Sequence, residues 1–243
     1  MTVSKGPSKL DLVPWDFNSE EHTQRAFLQR VACGWRWDEI PDWVEKCKKG
    51  KMMVYWLVIS DSVPDREAQI ATHVSKYPKE SAPLTDTAPL SWLSRPRTPS
   101  NKPIHPVGHA ALILLPPSEL ERLSLAPDAA VAYLGKLYVS YALQGHGYGG
   151  EAMRLLEGAA RHGLGAQMCV LDTVQHEFQM RGDVLDVFYV RQGNPVPKMS
   201  NEQWFTKMGY EAFHRDDEGY LHTHFDTKKQ EYLPVTYFKK MLR

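Results

Sequence analysis

A run of glycines is the part of this chain whose residue types and spacing best suit chemistry. Gly145, Gly147, Gly149 and Gly150 fall within six residues, directly after an apolar segment and before a helix-forming one. Glycine lacks a Cβ, so successive N–H groups can turn toward one point and a ligand can approach the backbone closely. The helix that follows adds unpaired first-turn N–H groups and its dipole. The run therefore predicts an anion site, with phosphate or pyrophosphate as its natural occupant.

Two common phosphate-binding loops do not fit this segment. A Walker A loop requires a Lys followed by Ser or Thr after its last glycine, and neither follows here. The dinucleotide pattern G-x-G-x-x-G is broken by the spacing of Gly145, Gly147 and Gly149, and the early βαβ context is missing.

The pattern that fits is Gln144-x-x-Gly147-x-Gly149, preceded by an apolar strand that includes Leu137 and Val139. It resembles the acyl-CoA loop of the GNAT superfamily of N-acetyltransferases, Gln/Arg-x-x-Gly-x-Gly/Ala. Residues 201–210 resemble the superfamily's later helix, which starts near an Asn and ends in a Gly-aromatic pair, although the spacing after the Asn is shorter here. The resemblance covers roughly residues 130–173 and 200–212.

The resemblance implies an α+β fold with a mixed, mostly antiparallel central sheet flanked by helices. A splayed strand pair is expected at the acyl-CoA site, within one domain spanning residues 1–243. A proline-rich surface insertion at about residues 61–105 has room for a short helix. A second insertion, at about residues 174–200, contains an apolar stretch at 183–190 that we interpret as an added strand.

Residue patterns outside the resemblance predict further elements. Apolar content and alternation indicate strands at residues 9–13, 52–59, 107–115 and 231–242, and Pro234 favours an edge or bulge position in the last. Helices are expected after the Ser19 cap, up to Lys49, and over residues 150–162. A solvated hairpin is expected near residues 216–219.

By this resemblance, acetyl-CoA is the acyl-donor cosubstrate. The N–H groups from Gln144 through Gly149 would hold the pyrophosphate, and the strand edge at Leu137 and Val139 would pair with the pantetheine amides. The residues expected to bind acetyl-CoA are Leu137, Tyr138, Val139, Gln144, Gly145, His146, Gly147, Tyr148, Gly149, Gly150, Asn201 and Phe205.

GNAT transfer is a direct attack of a neutral amine on the thioester, so a proton acceptor is required. Members commonly carry Glu or His at positions that correspond to Tyr133 and Gly135. The candidates here are Tyr133 acting through water, Asp172 and His109. The alternatives are that Tyr133 is a packing aromatic, that Asp172 caps a strand end and that His109 is structural. A chain of water molecules acting as the base is a further option.

A proton donor for the leaving thiolate is less evident. Many relatives place a Tyr where this chain has Phe205, and a phenyl ring cannot donate a proton. Tyr210 and Tyr189 are candidates only through their nearness in sequence.

For the acceptor pocket, Trp35 and Trp37 are expected to form an aromatic wall, with Asp38, Glu39 or Asp42 attracting an ammonium group. The tryptophans could equally anchor a helix pair to the sheet. The function expected is transfer of an acetyl group to a primary amine of a small molecule. A protein or peptide acceptor and a non-catalytic acyl-CoA-binding role are the alternatives.

Bulk properties exclude other classes. Lys+Arg and Asp+Glu number 29 each among 243 residues, which argues against a nucleic-acid binder. No apolar run approaches membrane-span length, and three widely spaced cysteines favour a reduced, cytoplasmic location. His214, His222 and His224 do not have metal-ligand spacing, so no metal is expected. The oligomeric state stays open.

Overall fold

The computed structural model describes residues 7–91, 94–224 and 227–242. Its strands are β1 (Leu10–Pro14), β2 (Met52–Ile59), β3 (Leu84–Thr85), β4 (Pro103–Ile104), β5 (Pro106–Ile113), β6 (Val131–Val139), β7 (Met168–Val174), β8 (Glu211–Thr223) and β9 (Gln230–Met241). Its helices are α1 (Glu20–Cys33), α2 (Ile40–Lys48), α3 (Arg66–Lys76), α4 (Pro117–Arg122), α5 (Tyr148–Leu164), α6 (His176–Gln179), α7 (Gly182–Leu185) and α8 (Asn201–Lys207).

Seven strands form one sheet in the order β1-β2-β5-β6-β7-β9-β8. Every neighbouring pair is antiparallel except β6 and β7, which run parallel. That parallel pairing joins only Val131–Tyr133 to Met168–Val170, and beyond it the two strands diverge. The mixed, mostly antiparallel sheet and the splayed strand pair are thus as predicted.

Apolar residues on both faces of the sheet hold the helices. Ile70 of α3, Leu156 of α5 and Phe205 of α8 pack on one face in a common core. Ala26 of α1 and Trp43 of α2 pack on the opposite face. Helices therefore flank the sheet on both sides, and the gap between β6 and β7 connects those sides.

A bulge interrupts β6 just after the point where β6 and β7 separate. The register against β5 shifts between His109 and Ala111, so that Lys136 and Leu137 of β6 lie opposite the single residue Ala110 of β5. Lys136 adopts a left-handed backbone with φ of 57°, an uncommon conformation for a residue with a side chain. Bulges change the direction of side chains, and this bulge places Lys136 at the gap between β6 and β7.

The prediction of a strand at residues 183–190 is wrong. The segment forms α7 and then a π-helical turn, Asp186–Val190. Val184, Phe188 and Tyr189 are the buried residues, and they pack into one cluster with Trp35 and Tyr141. Their spacing of four and five residues is helical, so a single buried face stabilises a helix here and not a strand.

The 61–105 segment contains more regular structure than the surface insertion that the sequence predicts. Its predicted short helix is α3, which buries Gln69, Ile70 and His73, and the short ribbon of β3 and β4 follows. Thus part of the segment belongs to the packed body of the protein.

The hairpin predicted near residues 216–219 is instead a bulge inside β8, opposite Pro234 of β9. Proline cannot donate a ladder hydrogen bond, so the facing strand departs from regular pairing there. The bulge alternative for Pro234 is therefore the one observed. His222, expected on a solvated hairpin, is completely buried. Within the described ranges, no helix is long and apolar enough to cross a membrane.

Candidate functional site

A cleft of about 650 Å³ passes through the sheet where β6 and β7 diverge. One side of it is lined by Met153 and Leu156 of α5 and by Phe205 of α8. The other side is lined by polar and aromatic residues, which are Trp35, Arg36, Glu39, Arg122, Tyr133, Lys136, Asp172, Asp216, Tyr220 and Tyr237. We refer to these as the α5 side and the tyrosine side.

The glycine loop lies at the start of α5, next to the α5 side. Gly145 and Gly147 have φ of 89° and 82°, which residues with a Cβ rarely adopt. The seven N–H groups from Gln144 to Gly150 donate no hydrogen bond to any atom of the described residues. Seven N–H groups without an acceptor among the described residues thus lie at the positive end of a seventeen-residue helix, an arrangement that suits an anion.

One acidic residue stands near this loop, in the first turn of α5. Hydrogen bonds from Arg154 lower the pKa of Glu151 to about 2, with further bonds from Ser8 and the N–H of Lys9. The carboxylate is thus neutralised by a neighbour one helical turn away. The Lys9 Nζ also donates to the carbonyl oxygen of His146 at 3.3 Å, which adds a positive charge beside the loop.

The β6 residues predicted to bind acetyl-CoA differ in where their side chains lie. Leu137 lines the cleft, whereas Val139 packs against the core. Tyr138 is buried, with its ring against those of His109 and Tyr141. The Tyr138 side chain therefore does not line the cleft. Beyond Tyr133, however, the edge of β6 that faces β7 has no pairing partner.

Asn201 and Phe205 of α8, which the sequence predicts to bind acetyl-CoA, line the cleft. Trp204 lines it as well. Phe205 is 8% exposed and contacts the rings of Trp204, Tyr210 and Phe238. It is a wall residue.

The two tyrosines considered as proton donors are both engaged elsewhere. The Tyr210 hydroxyl donates to Glu157 at 2.9 Å, outside the cleft. The Tyr189 hydroxyl accepts from Gln179 Nε2 at 3.3 Å. Neither side chain lines the cleft.

On the tyrosine side, Asp172 forms the centre of a small cluster. The Tyr133 hydroxyl donates to Asp172 Oδ1, and Tyr220 lies close enough for the charge of the same carboxylate to act on its hydroxyl group. Burial first, and then the negative charge of Asp172, raise the pKa of both tyrosines well above its usual value. Tyr133 therefore stays protonated and is suited to donate a hydrogen bond, not to accept a proton.

Asp172 differs from the other carboxylates of the cleft in its partners. Glu39 pairs with Arg36 and Lys136, while Glu119 and Asp216 pair with Arg122. Among the described residues, Asp172 has no basic partner within ion-pair distance. An ammonium group entering the cleft would supply one.

The bulge places Lys136 against Glu39, with Nζ to Oε2 at 2.7 Å. Burial lowers the pKa of Lys136, although Glu39 acts in the opposite direction. Burial would raise the pKa of Glu39, but Lys136 and Arg36 outweigh it and the pKa is lowered. Glu39 was one of the acids expected to attract an ammonium group, whereas Lys136, Tyr220 and Trp204 were not predicted from the sequence. A lone lysine in an apolar strand was the one available signal.

His109, the third candidate base, does not line the cleft. It is completely buried, and its Nδ1 lies 2.8 Å from Gln29 Oε1. Burial, with repulsion from Arg30 and Lys136, lowers its pKa well below the usual value. The contacts of its ring with Trp43 and Trp56 correspond to the structural role.

The residues predicted to form the acceptor wall do not lie together in the structure. Trp35 lines the cleft and stacks on Phe188 at 4.1 Å between ring centroids. Trp37 points elsewhere, and its indole N–H donates to the carbonyl oxygen of Thr223 at 3.2 Å. Asp38 is exposed and does not line the cleft. In the parts of the chain that the structure describes, no cluster of three or more potential metal ligands is found.

Acetyl-CoA fits this arrangement on three observations. The loop offers free N–H groups for a pyrophosphate, β6 offers an unpaired edge for an extended chain, and the cleft continues to the bulge. None of these needs a particular side chain.

Comparisons with known proteins agree with this geometry. The model of the acetyltransferase (GNAT) family matches residues 60–182. A solved structure of a probable GNAT-family acetyltransferase from Chromobacterium violaceum ATCC 12472 is 11% identical, covers 98% of this chain and 84% of that chain, and has a TM-score of 0.51. Arabidopsis thaliana NAA60 in complex with acetyl-CoA is 10% identical over 96% of this chain and 98% of that chain, with a TM-score of 0.50.

At these identities the two solved structures show a shared fold. No match was found among curated proteins. The family model covers half of the chain, including β5, β6, the glycine loop, α5 and β7. The chain therefore belongs to the acetyltransferase (GNAT) family and is an acetyl-CoA-dependent acyltransferase.

Proposed function

We propose that the protein transfers an acetyl group from acetyl-CoA to a primary amine of a small molecule. The observation that carries this proposal is the continuous cleft between the diverging strands β6 and β7, which contains a carboxylate without a basic partner and is lined by Trp204, whose ring lies against Gly149 of the glycine loop.

Acetyl-CoA supplies the acetyl group as a thioester, which a neutral amine can attack. In this proposal its pyrophosphate is held by the N–H groups of residues 144–150, and its pantetheine arm lies along the free edge of β6. The apolar residues Met153, Leu156 and Phe205 exclude water from the α5 side of the cleft.

Asp172 is the proposed binding group for the acceptor ammonium and the acceptor of its proton. Tyr133 holds the carboxylate through its hydroxyl group, and the raised pKa values of Tyr133 and Tyr220 keep both hydroxyl groups protonated. The ammonium first gives one proton to Asp172, directly or through water, and the neutral nitrogen then bonds to the acetyl carbon. As the carbon–sulfur bond breaks, the nitrogen loses a second proton to water and the CoA thiolate takes one proton from water, so the products are the amide and free CoA thiol. Tyr133 thus becomes a positioning residue in this proposal.

The proposed small size of the acceptor rests on how the tyrosine side is covered. Trp35 stacks on Phe188, and Trp37 donates to the carbonyl oxygen of Thr223. These two contacts join the α1–α2 connection to the 174–200 insertion and to β8. A peptide would need an open groove where these contacts lie.

The proposal is tested by release of free CoA thiol from acetyl-CoA with a panel of small amines, amino acids and peptides, alongside direct measurement of CoA binding. We expect release with one class of small amine. Release with peptides alone would overturn the small-molecule assignment. Binding of CoA without release from any acceptor would overturn the assignment of Asp172 and favour a different acyl donor or a non-catalytic role.

A further inference from the structure

Helix α3 lies in the 61–105 segment, outside the elements that line the cleft, yet it contacts both ends of the glycine loop. Its buried face consists of Gln69, Ile70 and His73. Ile70 joins the common core, whereas the other two are polar side chains that are 7% and 1% exposed. Buried polar groups are costly unless they have partners, so the partners of Gln69 and His73 show what this helix does.

Gln69 holds the far end of the loop. The hydroxyl of Tyr148, the first residue of α5, donates to Gln69 Oε1 at 2.6 Å. The amide nitrogen of Gln69 donates to Asp65 Oδ1 at 2.8 Å, which sets the orientation of the amide so that its oxygen faces Tyr148. Tyr148 is 2% exposed, so water does not compete for this bond.

His73 holds the near end. Its Nδ1 lies 2.9 Å from the hydroxyl oxygen of Ser140, the residue that follows β6. That oxygen also accepts from the N–H of Ala142 at 3.3 Å and so caps the turn that leads into the loop. The opposite ring nitrogen of His73 lies 3.4 Å from Glu80, which also accepts from Gln29 Nε2 at 2.9 Å.

Between these anchors, residues 144–147 are exposed and include Gly145 and Gly147. Glycine-rich backbone loses more conformational freedom on ordering than any other, so an unanchored loop would lose binding energy each time it closed on an anion. Two buried side-chain contacts, one at each end, restrict the loop before the ligand arrives.

We infer that α3 is a clamp that preorganises the glycine loop for the phosphates of CoA, with Gln69 and His73 as positioning residues. This inference rests on the proposed function of the loop. It assigns to the 61–105 segment a role in cosubstrate binding that the glycine pattern alone does not contain.

The test compares Gln69→Leu, Tyr148→Phe and the double variant. Calorimetric titration measures the affinity of each for CoA, and a competition titration measures its affinity for pantetheine, which lacks the phosphates. Removing one buried hydrogen bond should weaken CoA binding about three- to tenfold. Because both substitutions remove the same bond, the double variant should lose no more than the larger single loss. Pantetheine binding should stay as in the unsubstituted protein. Thr72→Ala, on the exposed face of α3, is the matched control and should change neither.

The possible outcomes separate two failures. If the unsubstituted protein binds CoA and Gln69→Leu and Tyr148→Phe bind it equally well, the clamp is overturned while the proposed function stands. Additive losses, or a parallel loss of pantetheine binding, also overturn the clamp. Absence of CoA binding to the unsubstituted protein overturns both. Tyr148→Phe keeps the aromatic ring, so it provides the test even if Gln69→Leu does not fold.

Discussion

The two sides of the cleft use different parts of the chain for recognition. On the α5 side, the groups available to a ligand are backbone N–H groups of residues 144–150, the free edge of β6 and apolar walls. On the tyrosine side they are titratable side chains, centred on Asp172 and Glu39. The difference teaches that cosubstrate binding should depend on backbone geometry, while acceptor binding and proton transfer should depend on the charge of single side chains.

The largest expected effect comes from adding a side chain to the glycine loop. Gly147→Glu places a negative charge where the N–H groups converge and imposes a Cβ on a residue with φ of 82°. We expect CoA binding to fall by at least about a thousandfold, because both the backbone and the electrostatics of the anion site are lost. Calorimetric titration with CoA measures the affinity, and circular dichroism checks that the fold is retained.

Gly158→Glu is the matched control for this substitution. Gly158 lies farther along α5, and a Cβ there meets no atom within 4 Å. The same side chain on the same helix should leave CoA affinity within about twofold, since the helix dipole acts only over the first turn. Equal CoA affinity in Gly147→Glu and the unsubstituted protein would contradict the backbone account of the α5 side.

The wall of the α5 side should matter for stability. Phe205→Ala removes a buried ring that contacts Trp204, Tyr210 and Phe238, so we expect the free energy of unfolding to fall by about 3–5 kcal/mol. Urea denaturation measures the change. Phe213→Ala, which removes a half-buried ring on β8, should reduce the same quantity by about 1 kcal/mol. An unchanged unfolding midpoint in Phe205→Ala would show that the ring is not packed as described.

This division between the sides also explains what the sequence could predict. The glycine loop could be predicted from the sequence because the left-handed backbone at Gly145 and Gly147 favours glycine at these positions. The splayed strands followed from the resemblance. A backbone site thus leaves a local signature, since one short segment builds it.

The tyrosine side leaves no such signature. Glu39, Lys136, Asp172 and Tyr220 come from four separate segments, and they meet because β6, β7 and β8 belong to one sheet and Glu39, before α2, pairs with Lys136. The 183–190 segment was misread because its apolar residues are dense enough to suit either period. His109 was considered a base because β5 neighbours β6, but its side chain points into the core beneath α2.

For the acceptor reaction, Asp172→Asn is the most direct change. The amide keeps an oxygen that can accept from Tyr133 but cannot take a proton, so we expect kcat/KM for the amine to fall about a hundredfold. CoA affinity should stay within about twofold. Steady-state kinetics with the amine found in the acceptor panel measures the first quantity, and calorimetry the second.

Asp216→Asn is its control, because Asp216 also lines the cleft but pairs with Arg122. We expect less than about a threefold change in kcat/KM. A similar fall in both variants would indicate a general effect of cleft charge, and no fall in Asp172→Asn would assign proton transfer to water.

The smallest effect is expected from a buried histidine behind the tyrosine side. His222 packs against the rings of both Trp35 and Phe188, and neither of its ring nitrogens has a hydrogen-bond partner among the described residues. Burial, with repulsion from His224, lowers its pKa to about 4. An unfolded histidine titrates near 6.5, so between these values the unfolded chain binds more protons. Stability from neutral His222 is therefore complete above pH 6.5 and is lost as the pH falls toward 4.

We expect this loss to be about 2 kcal/mol in the free energy of unfolding. His222→Phe keeps an aromatic ring but cannot titrate, so its stability should fall less than that of the unsubstituted protein between pH 6.5 and pH 4. His162→Phe, at an exposed position of α5, should leave the original pH dependence. Urea denaturation across this pH range measures all three proteins. Equal slopes for the unsubstituted protein and His222→Phe would mean that His222 reaches water, and Trp35 would then lack the closed wall that favours a small acceptor.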